Sequence, residues 1–453
     1  MKGLHLLKPT SAWTAILLLI LFTALCLLIG AGSLLRFIFP VASFIVGLFL
    51  FQRYPILYLG FNWWIWFLTA WIARVADYRS GWDPQRLMLV APFLVTLISG
   101  ISLIRHLPKS YSNGGLPFIL AFIAILYSFL IGLVQYSPFV VFRALLDWLI
   151  PVVFGFHLFI NWREYPSYRK NFEHTFLWGT LVIGTYGVIQ YLIAPEWDRL
   201  WITSTGLVSF GTPEPLGIRV FSTLHSTGPF ASVIMAGLLL LFHGGGFIRF
   251  AAAGTGYLSL LLSLARTAWG SWAVAVLIHL TSLKSNLQMR FILIIMVMVI
   301  CVLPLATVEP FSEIISSRLQ TFSDLENDAS FGARTEIYEE GLALAFSQGL
   351  GNGLGSITRQ EVIDSGIIEM LMTLGWAGTL PYMAGIGLLL FSVFNSSVGQ
   401  FDPFVSIARA IGLTSILQLI IYGSMLGISG MILWGFLGMA MAAQKYYQNQ
   451  RNG

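Results

Sequence analysis

The sequence predicts an all-α, polytopic transmembrane fold with roughly twelve to fourteen spans and one long extracytoplasmic loop. Three observations carry that expectation. Hydrophobic residues make up 57% of the 453 and charged residues only 10%, whereas a soluble globular chain carries about 25% charged residues. Apolar runs such as "TAILLLILFTALCLLIGAG" and "FILIIMVMVICVLPLA" are long and unbroken, enough to cross a hydrocarbon layer of ~30 Å as helices. The alternating segments of an outer-membrane barrel do not occur. Together these exclude a soluble enzyme, a disordered chain and a nucleic-acid-binding domain. The net charge of +5 belongs to cytoplasmic loops rather than to a nucleic-acid partner.

Taken in order, apolar segments fall near 12–30, 34–51, 55–73, 86–104, 116–136, 140–160 and 174–194. Further ones fall near 226–243, 247–264, 267–283, 290–307, 367–394, 404–422 and 424–443. The first lacks a small-x-small cleavage site and, with Leu25 before Cys26, a lipoprotein-type site, so it reads as a retained span. The 367–394 segment contains Pro381, where a bend is expected. Cys26 and Cys301 both sit inside apolar runs and read as small buried hydrophobes. The chain is expected to form a single integral-membrane domain over 1–453, and no cofactor or metal motif is visible.

Lysine sets the orientation. With both termini in the cytoplasm, Lys2, Lys8, Lys109, Lys170, Lys284 and Lys445 all fall at cytoplasmic ends, as the positive-inside rule requires. Two loops then lie outside: a medium one at 195–225 and a long one at 308–366. The long loop holds ten of the twenty acids and no lysine. Within it "GARTEIYEEGLALAFS" reads as an amphipathic helix, with Ile337, Leu342 and Ala345 opposite Glu336, Glu339 and Glu340, and "QGLGNGLGS" reads as a flexible stop. A loop of that length suggests a functional cap.

Charges that meet apolar sequence on the outer side are the candidate site. Arg219 lies at the mouth of a span, Arg266 in a tight hairpin, Arg334 at the start of the loop helix, and Arg143 one turn into a span with Asp147 four residues on. Insertion of such a charge costs roughly 2.5–3.5 kcal/mol, so each is a functional candidate by default. Three of the four also have a plain reading: Arg143 and Asp147 neutralise each other, Arg219 snorkels, and Arg334 is a solvated helix residue beside Glu336 and Glu339, whereas Arg266 has no acid nearby in sequence. The outward basic residues are all arginine. A guanidinium fork grips phosphate bidentately and keeps its charge, which points to an anionic, phosphate-bearing, lipid-anchored substrate. His225 is the one outward histidine; it reads as a helix-entry residue, a general base or a phosphate donor. The run "GLGNGLG" lacks the Gly-Lys-Ser/Thr of a nucleotide loop and reads as a turn.

These residues resemble the O-antigen ligase and O-antigen polymerase family of bacterial membrane glycosyltransferases. "LSLARTAWGSWAVAVLI" resembles its Ser-Arg hairpin, with Ala265 in place of serine. "RTEIYEEGLALAFSQGLGNGLGS" resembles its Arg-x-x-x-aromatic helix and Gly-x-Gly-x-Gly run, and "DSGIIEMLMTLGWAG" resembles the stretch where the loop re-enters the membrane. The ligase-like core region is 250–395, within a resemblance over about 215–395. The resemblance implies a class-C-like fold in the bacterial inner membrane. It implies metal-independent, inverting transfer of a glycan from an undecaprenyl-diphosphate carrier to the hydroxyl of an acceptor glycan or lipid, at the periplasmic face. Arg219, Arg266 and Arg334 would hold the diphosphate. Where the family carries His-Asn this chain has Asp364-Ser365, so Asp364 is the expected base, with His225 assisting. A transporter or flippase of lipid-linked sugars is the alternative. It would show paired repeats and midplane charges rather than charges gathered at one surface. A non-catalytic assembly subunit is a third reading.

Overall fold

The computed structural model describes residues 10–111, 114–242, 246–281, 349–357, 365–421 and 425–452, with isolated helical positions between 288 and 346. Among the described residues the chain is helical, and its only β pairing is the single bridge Gly211–Ile218. The helices are α1 (Thr10–Leu28), α2 (Gly32–Arg53), α3 (Pro55–Ser80), α4 (Ala91–Leu97), α5 (Gly100–Ser110), α6 (Leu116–Gln135), α7 (Pro138–Ile160) and α8 (Tyr165–Ile193). They continue as α9 (Glu196–Thr205), α10 (Thr227–Leu241), α11 (Phe247–Leu262), α12 (Arg266–Thr281), α13 (Gly366–Asn395), α14 (Pro403–Ile421) and α15 (Gly427–Asn452). Nine of the helical segments among the described residues are long and apolar enough to cross a membrane, and α10, α11 and α14 are shorter apolar helices. The chain is a multi-pass α-helical membrane protein.

The helices follow the expected apolar segments closely. The expected span at 290–307 lies outside the described residues, as does Cys301. The segment expected at 86–104 is divided into a 3₁₀ turn (Leu87–Val90), α4 and α5.

The centre of the bundle is built from aromatic residues and close backbone approaches. Trp63 of α3 is packed by Phe67, Phe154, Phe172 and Phe176 at ring separations of 5.0–5.9 Å. α15 is buried along most of its length and runs against α7, and a methyl group on Gly155 or Gly438 would strike the facing backbone. Small residues that let helices touch through their backbones replace, inside a bilayer, the hydrophobic drive available in water. α1 turns Leu17, Leu18, Leu21 and Leu25 outward, as a peripheral lipid-facing helix does.

Chain alternation sorts the connections into two ends. At one end Ser80 Oγ donates to the Gly30 carbonyl (2.9 Å), Arg36 pairs with Asp77 (3.0 Å), and the Val220 amide donates to Leu262 (3.2 Å). At the opposite end Tyr165, Tyr447 and Arg169 converge on buried Asp402, at 2.7, 3.0 and 3.1 Å. Lys109, Lys170 and Lys445, the lysines among the described residues, all lie at this second end. We call the two the Arg219 end and the Lys170 end.

Candidate functional site

The 194–226 connection at the Arg219 end is built around one buried ion pair. α8 ends at Ala194 in the left-handed conformation (φ 49°), and Pro195 leads into α9. This drops Asp198 against α3, where its Oδ1 lies 2.9 Å from Arg74 Nε, both side chains fully buried. Tyr186 and Gln190 of α8 donate to the other carboxylate oxygen at 2.7 and 2.9 Å. Burial pushes the Asp198 carboxyl above its ordinary range, while Arg74, Tyr186 and Gln190 pull it back. Breaking such a pair leaves one buried charge uncompensated, which is the costly outcome.

The same residues hold the next stretch of chain. The Gln190 side-chain carbonyl accepts the amides of Phe221 (3.0 Å) and Ser222 (2.8 Å). Arg74 donates to the Leu224 carbonyl at 2.7 Å and to the Ser222 carbonyl. Ser222 is left-handed (φ 52°), and its hydroxyl donates to Ile183 at 2.5 Å. Exposed His225 follows directly, ahead of Ser226, the residue before α10.

Arg219 sits one strand-like step earlier. Its amide donates to Phe210 (2.8 Å), completing the small hairpin closed by Gly211–Ile218. Its guanidinium reaches across to the α11–α12 corner, where Nη2 donates to the Leu264 carbonyl at 3.1 Å and Nη1 to Ser209 at 3.3 Å. Leu264 is itself left-handed (φ 53°), and Arg266, two residues on, opens α12. The structure therefore brings Arg219 to the corner that carries Arg266, although they lie in separate segments of sequence; both are half-buried. Carbonyls at the end of a helix lack intrahelical donors. Here the Val220 amide (3.2 Å to Leu262) and the Trp269 indole (3.0 Å to Leu260) reach two of the last carbonyls of α11, and Arg219 holds the Leu264 carbonyl just beyond its end.

The glycine run departs from the expected flexible stop. Residues 349–355 are laid between α6 and α13 and are held there by backbone pairing. α13 is interrupted at Gly375 (φ 62°, ψ −179°), not at Pro381. The carbonyls freed by that break are taken by the Asn352 amide (to Met372, 2.8 Å), the Gly353 amide (to Thr373, 3.0 Å) and the Thr379 hydroxyl (to Met370, 3.2 Å). On the other side the Leu354 amide donates to Ser128 of α6 at 3.0 Å. A side chain on Gly351 would strike the Gly375 backbone, so both positions require glycine for contact as well as for positive φ. The bend falls at Gly375 because a second segment supplies the missing donors there, a partner that helix patterning cannot reveal.

Of the remaining expected site residues, Arg143 is half-buried on α7 and donates to the Gln85 carbonyl at 3.4 Å, with half-buried Asp147 one turn below it. Arg334 and Asp364 lie outside the described residues. Sequence reasoning missed Arg74 and Asp198. The signal was present, since Arg74 is a charge within "WFLTAWIARVADY" and carries the same insertion cost as the arginines singled out. It also missed Arg86, whose guanidinium lies between Trp82 (4.1 Å) and Trp201 (4.0 Å). No family model matches the chain, and no curated protein matches it.

Proposed function

We propose that the protein is a membrane glycosyltransferase of the O-antigen ligase or polymerase type, which transfers a glycan from a polyprenyl-diphosphate carrier to an acceptor hydroxyl. The observation that carries the reading is the Arg219–Leu264 contact. It gathers two arginines at one end of the bundle, the end whose 194–226 connection also carries exposed His225, where an amphipathic phosphate-bearing substrate could present its headgroup. The sorting of lysine to the opposite end supports an extracytoplasmic placement for this site.

In the proposed reaction an acceptor hydroxyl attacks the anomeric carbon, the new glycosidic C–O bond forms, and the bond from that carbon to the diphosphate oxygen breaks. The proton goes to a carboxylate, assigned to Asp364, and the electron pair leaves on the diphosphate. Arg219, Arg266 and Arg334 stabilise the departing charge, which a preorganised donor set does without reorganising at the moment of reaction. Displacement from the opposite face inverts the anomeric configuration.

The test is binding of a short-chain polyprenyl diphosphate to the purified full chain and to Arg266→Ala. The reading expects binding by the parent and its loss in the variant, with thermal unfolding unchanged. Equal binding by both would sink it, as would carriage of labelled lipid-linked sugar across vesicles with no transfer.

A further inference from the structure

At the Lys170 end, remote from the arginines just described, the last turns of α13 and α15 border a half-open cavity of about 450 Å³. A volume of this size suits a small ligand or headgroup. Its lining includes Ser392, Asn395, Ser397, Gln444, Gln448 and Arg451, nearly all hydrogen-bonding side chains. Among the described lining residues Arg451 alone carries a charge, so the cavity has a cation and no carboxylate of its own.

The walls are fixed by contacts that the lining residues make with one another and with residues behind them. Ser392 and Gln444 are joined twice, hydroxyl to side-chain carbonyl and amide to backbone carbonyl, each at 3.1 Å. Buried Arg409 donates to the Val393 carbonyl (2.9 Å) and to the Ser396 carbonyl. Those carbonyls end α13 and would otherwise present negative charge to an anion here. Tyr447 is turned to Asp402 (3.0 Å), whose charge is met by Arg169.

The position of the cavity indicates its occupant. On α13 the residues Leu380, Leu388 and Phe391 are 61%, 40% and 68% exposed. Their spacing keeps them on one helical face, with exposed Ala384 and Gly387 between them. That lipid-facing strip runs into the cavity at Phe391, which is part of the lining. A free anion has no use for the strip, whereas an acyl chain laid along it delivers its phosphate to Arg451 and its headgroup hydroxyls to the amide and hydroxyl side chains. We propose that the cavity seats the headgroup of an anionic phospholipid, with phosphatidylglycerol as the matching chemistry. Basic pockets between helices on the lysine-bearing side of a membrane bind anionic headgroups in this way.

The experiment is native mass spectrometry of the purified full chain in a neutral detergent, with phosphatidylglycerol, phosphatidylcholine and inorganic phosphate as probes. Phosphatidylglycerol is retained in preference to phosphatidylcholine. Arg451→Gln weakens retention about fivefold, the effect of one cation beside a lipid surface. Asn395→Leu with Ser397→Leu abolishes it, and Arg53→Gln, an exposed arginine at the same end, leaves it unchanged. All four positions are exposed, and an unchanged melting temperature checks that each variant folds. Equal retention by cavity and control variants would overturn the proposal, as would equal retention of the two lipids. Retention of inorganic phosphate without phosphatidylglycerol would mark a free-anion site and overturn it too.

Discussion

Arg74 of α3 and Asp198 of α9 form an ion pair from which solvent is wholly excluded, Nε to Oδ1 at 2.9 Å. The pair ties the 194–226 connection to the bundle, because the guanidinium also holds the Leu224 carbonyl just before His225.

Removing one partner is expected to be severe. Asp198→Ala should cost about 3–5 kcal/mol of stability, since the arginine is left buried and unpaired. The double replacement Arg74→Met with Asp198→Leu removes the uncompensated charge but leaves the Ser222 and Leu224 carbonyls and the Tyr186 and Gln190 donors without these partners, so it should recover only part of that loss. Thermal unfolding in detergent reads both, and an Asp198→Ala protein with parental stability would refute the assignment.

Gly375→Ala places a Cβ on a backbone essentially confined to glycine (φ 62°, ψ −179°), at about 1–3 kcal/mol, and Gly351→Ala forces the 349–355 run off α13. Both variants should become sensitive to limited proteolysis near 349–357 while the rest of the bundle stays protected. An unchanged cleavage pattern would mean that the backbone pairing across Gly375 is not needed to hold the run.

Arg219 tests the guanidinium fork. Arg219→Lys keeps the charge but loses the planar geometry that reaches Leu264 and Ser209. Under the proposed function both Arg219→Lys and Arg219→Ala weaken polyprenyl-diphosphate binding. The alanine variant does so by the worth of a charge-assisted bond, about 1.5–3 kcal/mol. Lysine matching arginine in titrations would show that charge alone suffices.

Asp364→Asn and Asp364→Ala should abolish glycan transfer in membranes while leaving carrier binding intact, because a base acts in the chemical step. Full transfer by either would remove Asp364 from the reaction.

Topology has its own check. A cysteine at exposed Glu214 should react with a membrane-impermeant thiol reagent added outside intact cells, and one at Lys170 only after the membrane is opened. The reverse pattern would invert the orientation drawn from lysine.

Much of the fold was legible because apolar runs and helix lengths answer to the same bilayer thickness. The segment expected at 140–160 is α7, and the hairpin expected around Arg266 is a turn of three residues, 263–265. The site was legible only in part. Arg219 and Arg266 stood out as costly charges, but their meeting depends on a backbone carbonyl, that of Leu264, which has no residue-specific signature. Asp198 drew no reading from the sequence, because its burial depends on α9 carrying it under Arg74. The break at Gly375 had no signal in the helix pattern, because the donors that permit it belong to Asn352 and Gly353, in a different segment.

The buried pair also sets an order of events during biosynthesis. The chain is made from its N-terminus, so Arg74 enters the bilayer on α3 long before Asp198 has left the ribosome. Until then its guanidinium must be satisfied by headgroups or water, which its place near the end of α3 allows by snorkelling. Arrival of α9 exchanges those contacts for the carboxylate and closes the 194–226 connection over it. The connection that carries Arg219 and His225 can therefore be anchored to α3 only after α8 has been made, because Asp198 follows α8 in the chain.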